Sequence, residues 1–291
     1  MNTILLALTS FFILQSIQAA TLPIEKSEFC SRFNEDPKNQ MSIQDFANNP
    51  ENLMSFKNNG GLFNGGVCWW HSRFQRNIFY LSIFRPDLPK LDRAGIKALI
   101  AKIRLGNSVV TIPGHHNFEE FSNEYKSLIQ AELNDWQLYD GVVLGGWMDG
   151  LKGNTKMAPN ALLRLMDELH DYVSVKKKVA YQKLQIKGVT AHAWLVVGMT
   201  KKAEGYEVGF IDSNNPRMSE IYNYKTGDSS FFVKDYGNFV PYLEFKKEEE
   251  RLIDAGKIFC GLKKRALNHN AMIDKYNRDY KDDLAHAKKI H

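Results

Sequence analysis

The chain contains 291 residues, of which 44% are hydrophobic and 12% are aromatic. This apolar content is enough for the core of one large or two small domains, and it excludes disorder along most of the length. The net charge is only +5, and most of that excess lies in residues 246–291. No basic patch is interleaved with aromatic residues, so the composition argues against a nucleic-acid partner.

Residues 1–20 have the pattern of a secretory signal peptide. The segment from Ile4 to Leu14 is mostly apolar, and small residues end the pattern at Ala19-Ala20. An uncleaved anchor is the alternative, because no Lys or Arg precedes the apolar stretch, but that stretch is short for a membrane span. We therefore expect a secreted or periplasmic protein with no stable membrane span after signal cleavage.

Residues 21–58 form a polar N-terminal extension in which Ser42 can cap a helix that Asn48-Asn49-Pro50 interrupts. Residues 59–245 form one predicted domain, in which the helical patterns come first. The predicted helices span Cys68–Phe84, Asp92–Leu105, Asn117–Leu133 and Pro159–Tyr172, and a short β-type run spans Ser108–Ile112.

Strand patterns then follow, and they predict a largely antiparallel sheet. The predicted strands span Lys178–Lys187, Ala191–Met199, Tyr206–Ile211, Ser229–Val233 and Phe239–Phe245. Helices followed by strands predict an α+β fold. Residues 246–291 have the composition of charged helices and could contact a protein partner.

The three cysteines are Cys30, Cys68 and Cys260. In an oxidising compartment, Cys30 and Cys260 could pair near the two ends of the mature chain and leave Cys68 as a free thiol. Spacing alone does not give connectivity, so three unpaired cysteines are the alternative.

Cys68 follows Gly65-Gly66 and opens a predicted helix. Glycines allow a sharp turn and a close approach to a substrate, while a helix N-terminus and a nearby histidine favour the thiolate. Cys68 is therefore the candidate nucleophile. The alternative is an ordinary buried cysteine.

His192 and Asp212 lie on two strands that a short turn separates. If Thr200 pairs with Tyr206, Asp212 lies opposite Trp194 and Asn214 lies opposite His192. Either side chain could then orient the imidazole of a candidate base, and we favour Asp212 over Asn214. The alternative is that residues 212–216 are only a polar turn.

Other histidines are weaker candidates. His71 lies one helical turn from Cys68 and could be an accessory group, although a helical neighbour is poorly aimed at that sulfur. His115 and His116 with Glu119 and Glu120 suggest a metal site, but they cross a loop-to-helix junction and lack further ligands at supporting spacing. We expect neither a metal nor a cofactor.

Three short runs resemble the papain-like cysteine peptidase superfamily, and most closely bacterial C39-like papain-fold domains. The runs are Gly66-Val67-Cys68-Trp69, Ala191-His192-Ala193-Trp194-Leu195-Val196-Val197-Gly198 and Ile211-Asp212-Ser213-Asn214. The order and spacing of the resemblance cover residues 55–245. It implies a helical lobe carrying Cys68 as nucleophile, packed on an antiparallel sheet that carries His192 as base and Asp212 as orienter.

The resemblance also implies an oxyanion-hole side chain upstream of the cysteine. Leu62 stands where papain itself has a glutamine, and Asn64 is the nearest amide. Asn64 is therefore the candidate for the oxyanion hole, with a plain turn residue as the alternative.

These features predict a secreted thiol hydrolase, either a cysteine peptidase or an amidase, that acts on a peptide or protein through a thioester intermediate. An acyl transferase of the transglutaminase type would use the same three residues with an amine in place of water. Two other classes remain open. One is a catalytically silent papain-like binding domain, and the other is an envelope protein whose C-terminal helices contact a partner.

Overall fold

A computed structural model describes residues 21–33, 42–61, 66–143, 155–186, 191–234, 236–241 and 246–264. The predicted signal peptide, Asn64 and the segment beyond residue 264 lie outside the described residues.

Most of the described helices precede the main sheet in the chain, and the last one follows it. They are α1 (Lys26–Ser31), α2 (Ile43–Ala47), α3 (Cys68–Leu81), α4 (Arg93–Leu105), α5 (Phe118–Glu124), α6 (Lys126–Trp136), α7 (Pro159–His170) and α8 (Lys246–Phe259). A 3-10 turn spans Pro50–Asn52, and π-helical segments follow α6 at Gln137–Val143 and α7 at Asp171–Val175.

The strands form two sheets. They are β1 (Ser82–Arg85), β2 (Val110–Pro113), β3 (Ala180–Gln185), β4 (Ala191–Lys202), β5 (Gly205–Asp212), β6 (Ser219–Lys225), β7 (Phe231–Val233) and β8 (Gly237–Pro241). β1 and β2 pair in parallel, whereas the larger sheet is antiparallel and has the order β6-β5-β4-β3-β8-β7. The described residues therefore form a mixed α+β structure.

Several predicted boundaries are wrong. α3 ends at Leu81 instead of Phe84, because Ser82 adopts an extended backbone and the next residues pair with β2. The helix predicted over Asn117–Leu133 is divided at Tyr125, whose backbone leaves the helical region while its ring packs on His115. β6 was not predicted, since its outward side chains are mostly polar and exposed.

β4 lies between two hydrophobic layers. Ala193, Leu195 and Val197 pack on the side that includes the core residues of α3, whereas Trp194 and Val196 face the second layer with α7. This alternation follows from the period of two in a strand. It places α3 directly against the sheet, so that the start of α3 can meet the start of β4.

The larger sheet curls around Trp194. The Trp194 ring stacks on Phe210 with 3.8 Å between centroids and also contacts Phe231 and Phe239. The backbone N–H of Phe232 donates to the Tyr222 hydroxyl over 3.0 Å, which joins the two outer strands β6 and β7. The curled sheet thereby encloses a compact aromatic core.

The two ends of the described chain are attached to the same core. A disulfide joins Cys30, in α1, to Cys260, which directly follows α8. Leu252 of α8 is buried in the first core layer, and Glu249 forms a buried ion pair with Arg76 of α3 at 3.4 Å. The N-terminal extension also contributes Phe46 and Met54 to that layer. α8 is thus an integral part of the fold.

None of the helices in the described part of the chain is long and apolar enough to cross a membrane.

The Arg76–Glu249 pair gives a test of this packing. Glu249→Gln removes the carboxylate charge beside a buried guanidinium, and we expect the free energy of unfolding to fall by about 3–5 kcal/mol. Asp254→Asn on the same helix breaks an ion pair with the half-exposed Lys263 and should cost less than about 1 kcal/mol. Urea denaturation measures both, and equal effects would contradict this account of how α8 is held.

Candidate active site

Cys68 is the first residue of α3 and is half-buried. Gly66, two residues earlier, has φ +88°, and a Cβ there would lie 2.5 Å from Asn58 Nδ2. Glycine is therefore required both by the left-handed backbone and by the lack of space. This turn places the sulfur at the N-terminus of a 14-residue helix, where backbone N–H groups and the helix dipole favour negative charge.

His192 lies near the start of β4, and its side chain is buried beside the sulfur. The Cys68 thiol donates to the carbonyl oxygen of Ala191, the residue before His192, over 3.6 Å, and the neighbouring sulfur is one of the groups that raise the pKa of His192. The ring nitrogen Nε2 of His192 contacts Asp212 Oδ1 and Oδ2 at 2.8 and 2.9 Å. Because Nε2 faces the carboxylate, Nδ1 is the ring nitrogen left to face the sulfur.

Asp212 is fixed by contacts beyond the imidazole. Trp194 Nε1 donates to Asp212 Oδ2 over 3.1 Å, and the backbone N–H of Asn214 donates to Oδ1 over 2.8 Å. A buried carboxylate with these donors cannot rotate freely, so it holds the imidazole in one orientation.

The register of the hairpin explains why Asp212 reaches His192. At the turn, Thr200 pairs with Glu207, so the predicted pairing of Thr200 with Tyr206 is wrong by one residue. A β-bulge between Val196 and Gly198 then shifts the register, and Trp194 pairs with Asp212. If the register of the turn continued without this shift, Asp212 would pair with Leu195, and its side chain would lie on the face of the sheet opposite to His192.

The pKa values of His192 and Asp212 depend on each other. Burial is the largest influence on the pKa of His192 and lowers it, but the hydrogen bonds and charges of Asp212 and Cys68 outweigh burial and raise this pKa to about 10. Burial raises the pKa of Asp212, yet the bond and charge of His192, with the Asn214 and Trp194 donors, leave it below its usual value. The buried carboxylate of Asp212 therefore favours the imidazolium form of His192.

Tyr236 also contacts His192, and the sequence analysis missed it. Its ring stacks on the imidazole with 4.9 Å between centroids, and its hydroxyl accepts a hydrogen bond from Asn214 Nδ2. Burial first, and then the charges of Asp212 and Cys68, raise the pKa of Tyr236 to about 12. Tyr236 is thus a neutral aromatic cover beside the thiol–imidazole pair.

Asn214 does not orient the imidazole through its side chain. Its Oδ1 accepts from Asn58 Nδ2 over 3.1 Å, while its Nδ2 is directed to Tyr236. Asn58, a residue with no predicted role, also lies against the turn before Cys68. Asn64, the predicted oxyanion donor, lies outside the described residues.

His71 has a different environment from the one predicted for an accessory group. Its Nε2 lies 2.9 Å from the carbonyl oxygen of Phe56, so this nitrogen carries the hydrogen. Burial is the largest influence on the pKa of His71 and lowers it to about 4, even though the Asp212 charge opposes the change. His71 is therefore a neutral, buried link between α3 and the N-terminal extension.

The histidines suggested for a metal have protein partners. His115 Nδ1 lies 2.8 Å from the carbonyl of Pro113 and its Nε2 lies 3.1 Å from Glu124, while His116 contacts Glu120. In the portion of the chain that the structure covers, no group of three or more His, Cys, Asp or Glu residues could hold a metal ion.

No protein-family model, no curated protein and no solved structure matches this chain.

The neutral state of His71 predicts a loss of stability in acid. Because its folded-state pKa of about 4 lies below the unfolded value of 6.5, the unfolded chain binds the proton first as the pH falls. Between pH 6.5 and 4.5, this should remove about 2 kcal/mol from the free energy of unfolding. His71→Gln keeps a donor for the Phe56 carbonyl and should lose less stability over that range.

Urea denaturation of both proteins at pH 6.5 and 4.5 measures the difference. The remaining histidines are common to the two proteins, so their contributions cancel. An identical loss in wild type and His71→Gln would show that His71 is not the responsible group.

Proposed function

We propose that the chain is a thiol hydrolase of papain-like fold that cleaves amide bonds of peptides or proteins. The observation that carries this proposal is the placement of the Cys68 thiol against the first residue of β4, where it donates to the carbonyl of Ala191, beside the direct contact of His192 with Asp212. A thiol, an imidazole and a carboxylate are brought together from α3, β4 and β5. They have the roles of nucleophile, base and orienter in thiol hydrolysis.

The mechanism follows from these contacts. The Cys68 sulfur attacks the carbonyl carbon of the substrate while His192 holds the thiol proton. The C–N bond then breaks, His192 gives its proton to the leaving amine, and the acyl group remains on sulfur as a thioester. A water molecule loses a proton to His192, attacks the thioester and releases a carboxylic acid, after which the thiol is restored.

The negative charge that develops on the carbonyl oxygen must be stabilised by a hydrogen-bond donor. In this proposal, the N-terminus of α3 supplies it, because the backbone N–H groups of the first turn have no intrahelical acceptor. Val67, the cap residue, makes no side-chain hydrogen bond to these groups. Asp212 would retain its negative charge throughout and stabilise the imidazolium.

The cysteine pairing supports a cellular location for this chemistry. A disulfide between Cys30 and Cys260 is favoured in an oxidising compartment, while the half-buried Cys68 remains free. We propose a secreted or periplasmic location on this basis. A protein partner for the C-terminal helices of residues 246–291 stays a prediction. Both water and an amine are compatible with this mechanism as acyl acceptor.

Alkylation of Cys68 tests the activation of the thiol. At pH 6, where an ordinary thiol is mostly protonated, iodoacetamide should label the wild-type protein at least about tenfold faster than His192→Ala. The raised pKa of His192 keeps the imidazolium present from pH 6 to 9, so the wild-type rate should change little over that range. Asp212→Asn should give an intermediate rate, and Cys68→Ser should not be labelled.

Acylation of the Cys68 thiol distinguishes a hydrolase from a catalytically silent binding domain. With p-nitrophenyl acetate, the wild type should release about one p-nitrophenolate per chain in a burst and then turn over, while Cys68→Ser should show neither phase. Equal alkylation rates in wild type and His192→Ala, or a rapidly alkylated thiol that is never acylated, would reject the proposal.

A further inference from the structure

Asn58 connects the two loops that carry the candidate site. Its backbone N–H donates to the carbonyl of Ser213 over 2.7 Å, and its Nδ2 donates to Asn214 Oδ1 over 3.1 Å. Its Oδ1 accepts from the backbone N–H of Val67, the cap residue of α3. One side chain thus binds the residue before the nucleophile and a residue two positions after Asp212.

The contact with the nucleophile turn is tight. Gly66 faces the Asn58 amide so closely that a Cβ at position 66 would lie 2.5 Å from Nδ2 and 2.9 Å from Oδ1. The start of α3 has no side-chain cap of its own. The Asn58 carboxamide therefore fixes the chain at the point where the helix begins.

The same amide extends to the other side of His192. Because Asn58 occupies Oδ1 of Asn214, Nδ2 of Asn214 is directed to the hydroxyl of Tyr236, whose ring stacks on the imidazole. A series of hydrogen bonds runs from the Val67 backbone through Asn58 and Asn214 to Tyr236. The series therefore extends from the turn before Cys68 to the face of the imidazole on which Tyr236 stacks.

We propose that Asn58 is a positioning residue that sets the separation of Cys68 and His192. This inference rests on the proposed function. The two side chains lie on elements far apart in sequence, and a displacement of about 1 Å is enough to weaken proton sharing strongly. Asn58 acts through other residues, because it touches neither the sulfur nor the imidazole in these contacts.

The test compares the pH profile of Cys68 alkylation by iodoacetamide in five proteins, which are wild type, His192→Ala and three variants at Asn58 and Asn59. Asn58→Ala loses both side-chain bonds but keeps the backbone bond to Ser213, and we expect its rate at pH 6 to fall about fivefold or more towards that of His192→Ala. Asn58→Asp keeps an acceptor for Val67 and should lie between wild type and Asn58→Ala. Asn59→Ala is the matched control and should equal wild type, since Asn59 is exposed and its carbonyl, which accepts from Gln130, is retained.

Non-additivity provides a second readout. Asn214→Ala breaks the link to Tyr236 while leaving the Val67 bond, so the double variant with Asn58→Ala should be slowed by less than the product of the two single effects. A purely structural role would lower the melting temperature and leave the pH profile unchanged.

The outcomes separate the two proposals. If His192→Ala alkylates as fast as wild type, the proposed function fails before Asn58 is considered. If His192→Ala is slow but Asn58→Ala has the wild-type profile, only the positioning inference is overturned. If Asn58→Ala does not fold, the pH profile of Asn58→Asp is used instead. A wild-type profile in Asn58→Asp would then overturn the positioning inference.

Discussion

The candidate site depends on one buried interaction, the contact between His192 Nε2 and the carboxylate of Asp212. It occupies one ring nitrogen and so directs the other towards Cys68. It also offsets the cost of burying a charged imidazole, which would otherwise lower the pKa of His192. Without the carboxylate, the ring would be neutral and free to turn, and the thiol would have no fixed partner.

The surrounding fold maintains that contact from both sides. Trp194 is central to this arrangement, because its indole N–H holds Asp212 while its ring lies in the aromatic core enclosed by the curled sheet. On the other face of β4, Trp69 of α3 donates from Nε1 to the carbonyl of His192 over 3.0 Å. The strand that carries the base is thus held both by the sheet core and by the helix that carries the thiol.

Much of the candidate site could be predicted from local patterns. A cysteine after two glycines at a helix start, and a histidine near the start of an apolar strand, are local signals, because glycine geometry and strand periodicity need only neighbouring residues. Asp212 could also be predicted, since a short hairpin limits which residues can lie opposite Trp194. The papain-like assignment remains a proposal, because it depends on the three short runs and on the arrangement of their side chains.

The rest depends on tertiary structure. The pairing at the turn differs from the predicted one by one residue, and the bulge between Val196 and Gly198 restores the predicted pairing of Trp194 with Asp212. Gly198 is a local signal for such a bulge, but the apolar side chains around it are compatible with either register. Tyr236 reaches His192 from a turn between two late strands, and Asn58 reaches Val67 from an asparagine-rich loop. Such contacts arise from loop paths in three dimensions, which composition and periodicity do not encode.

The most direct measurement of the central interaction is the protonation state of His192 itself. Nitrogen NMR of ¹⁵N-histidine-labelled protein, with His192→Gln to assign the signal, reports whether both ring nitrogens carry hydrogen. With a pKa raised to about 10, His192 should remain an imidazolium at pH 8, while Asp212→Asn should make it neutral. A wild-type His192 that is neutral at pH 8 and titrates near 6.5 would contradict the account.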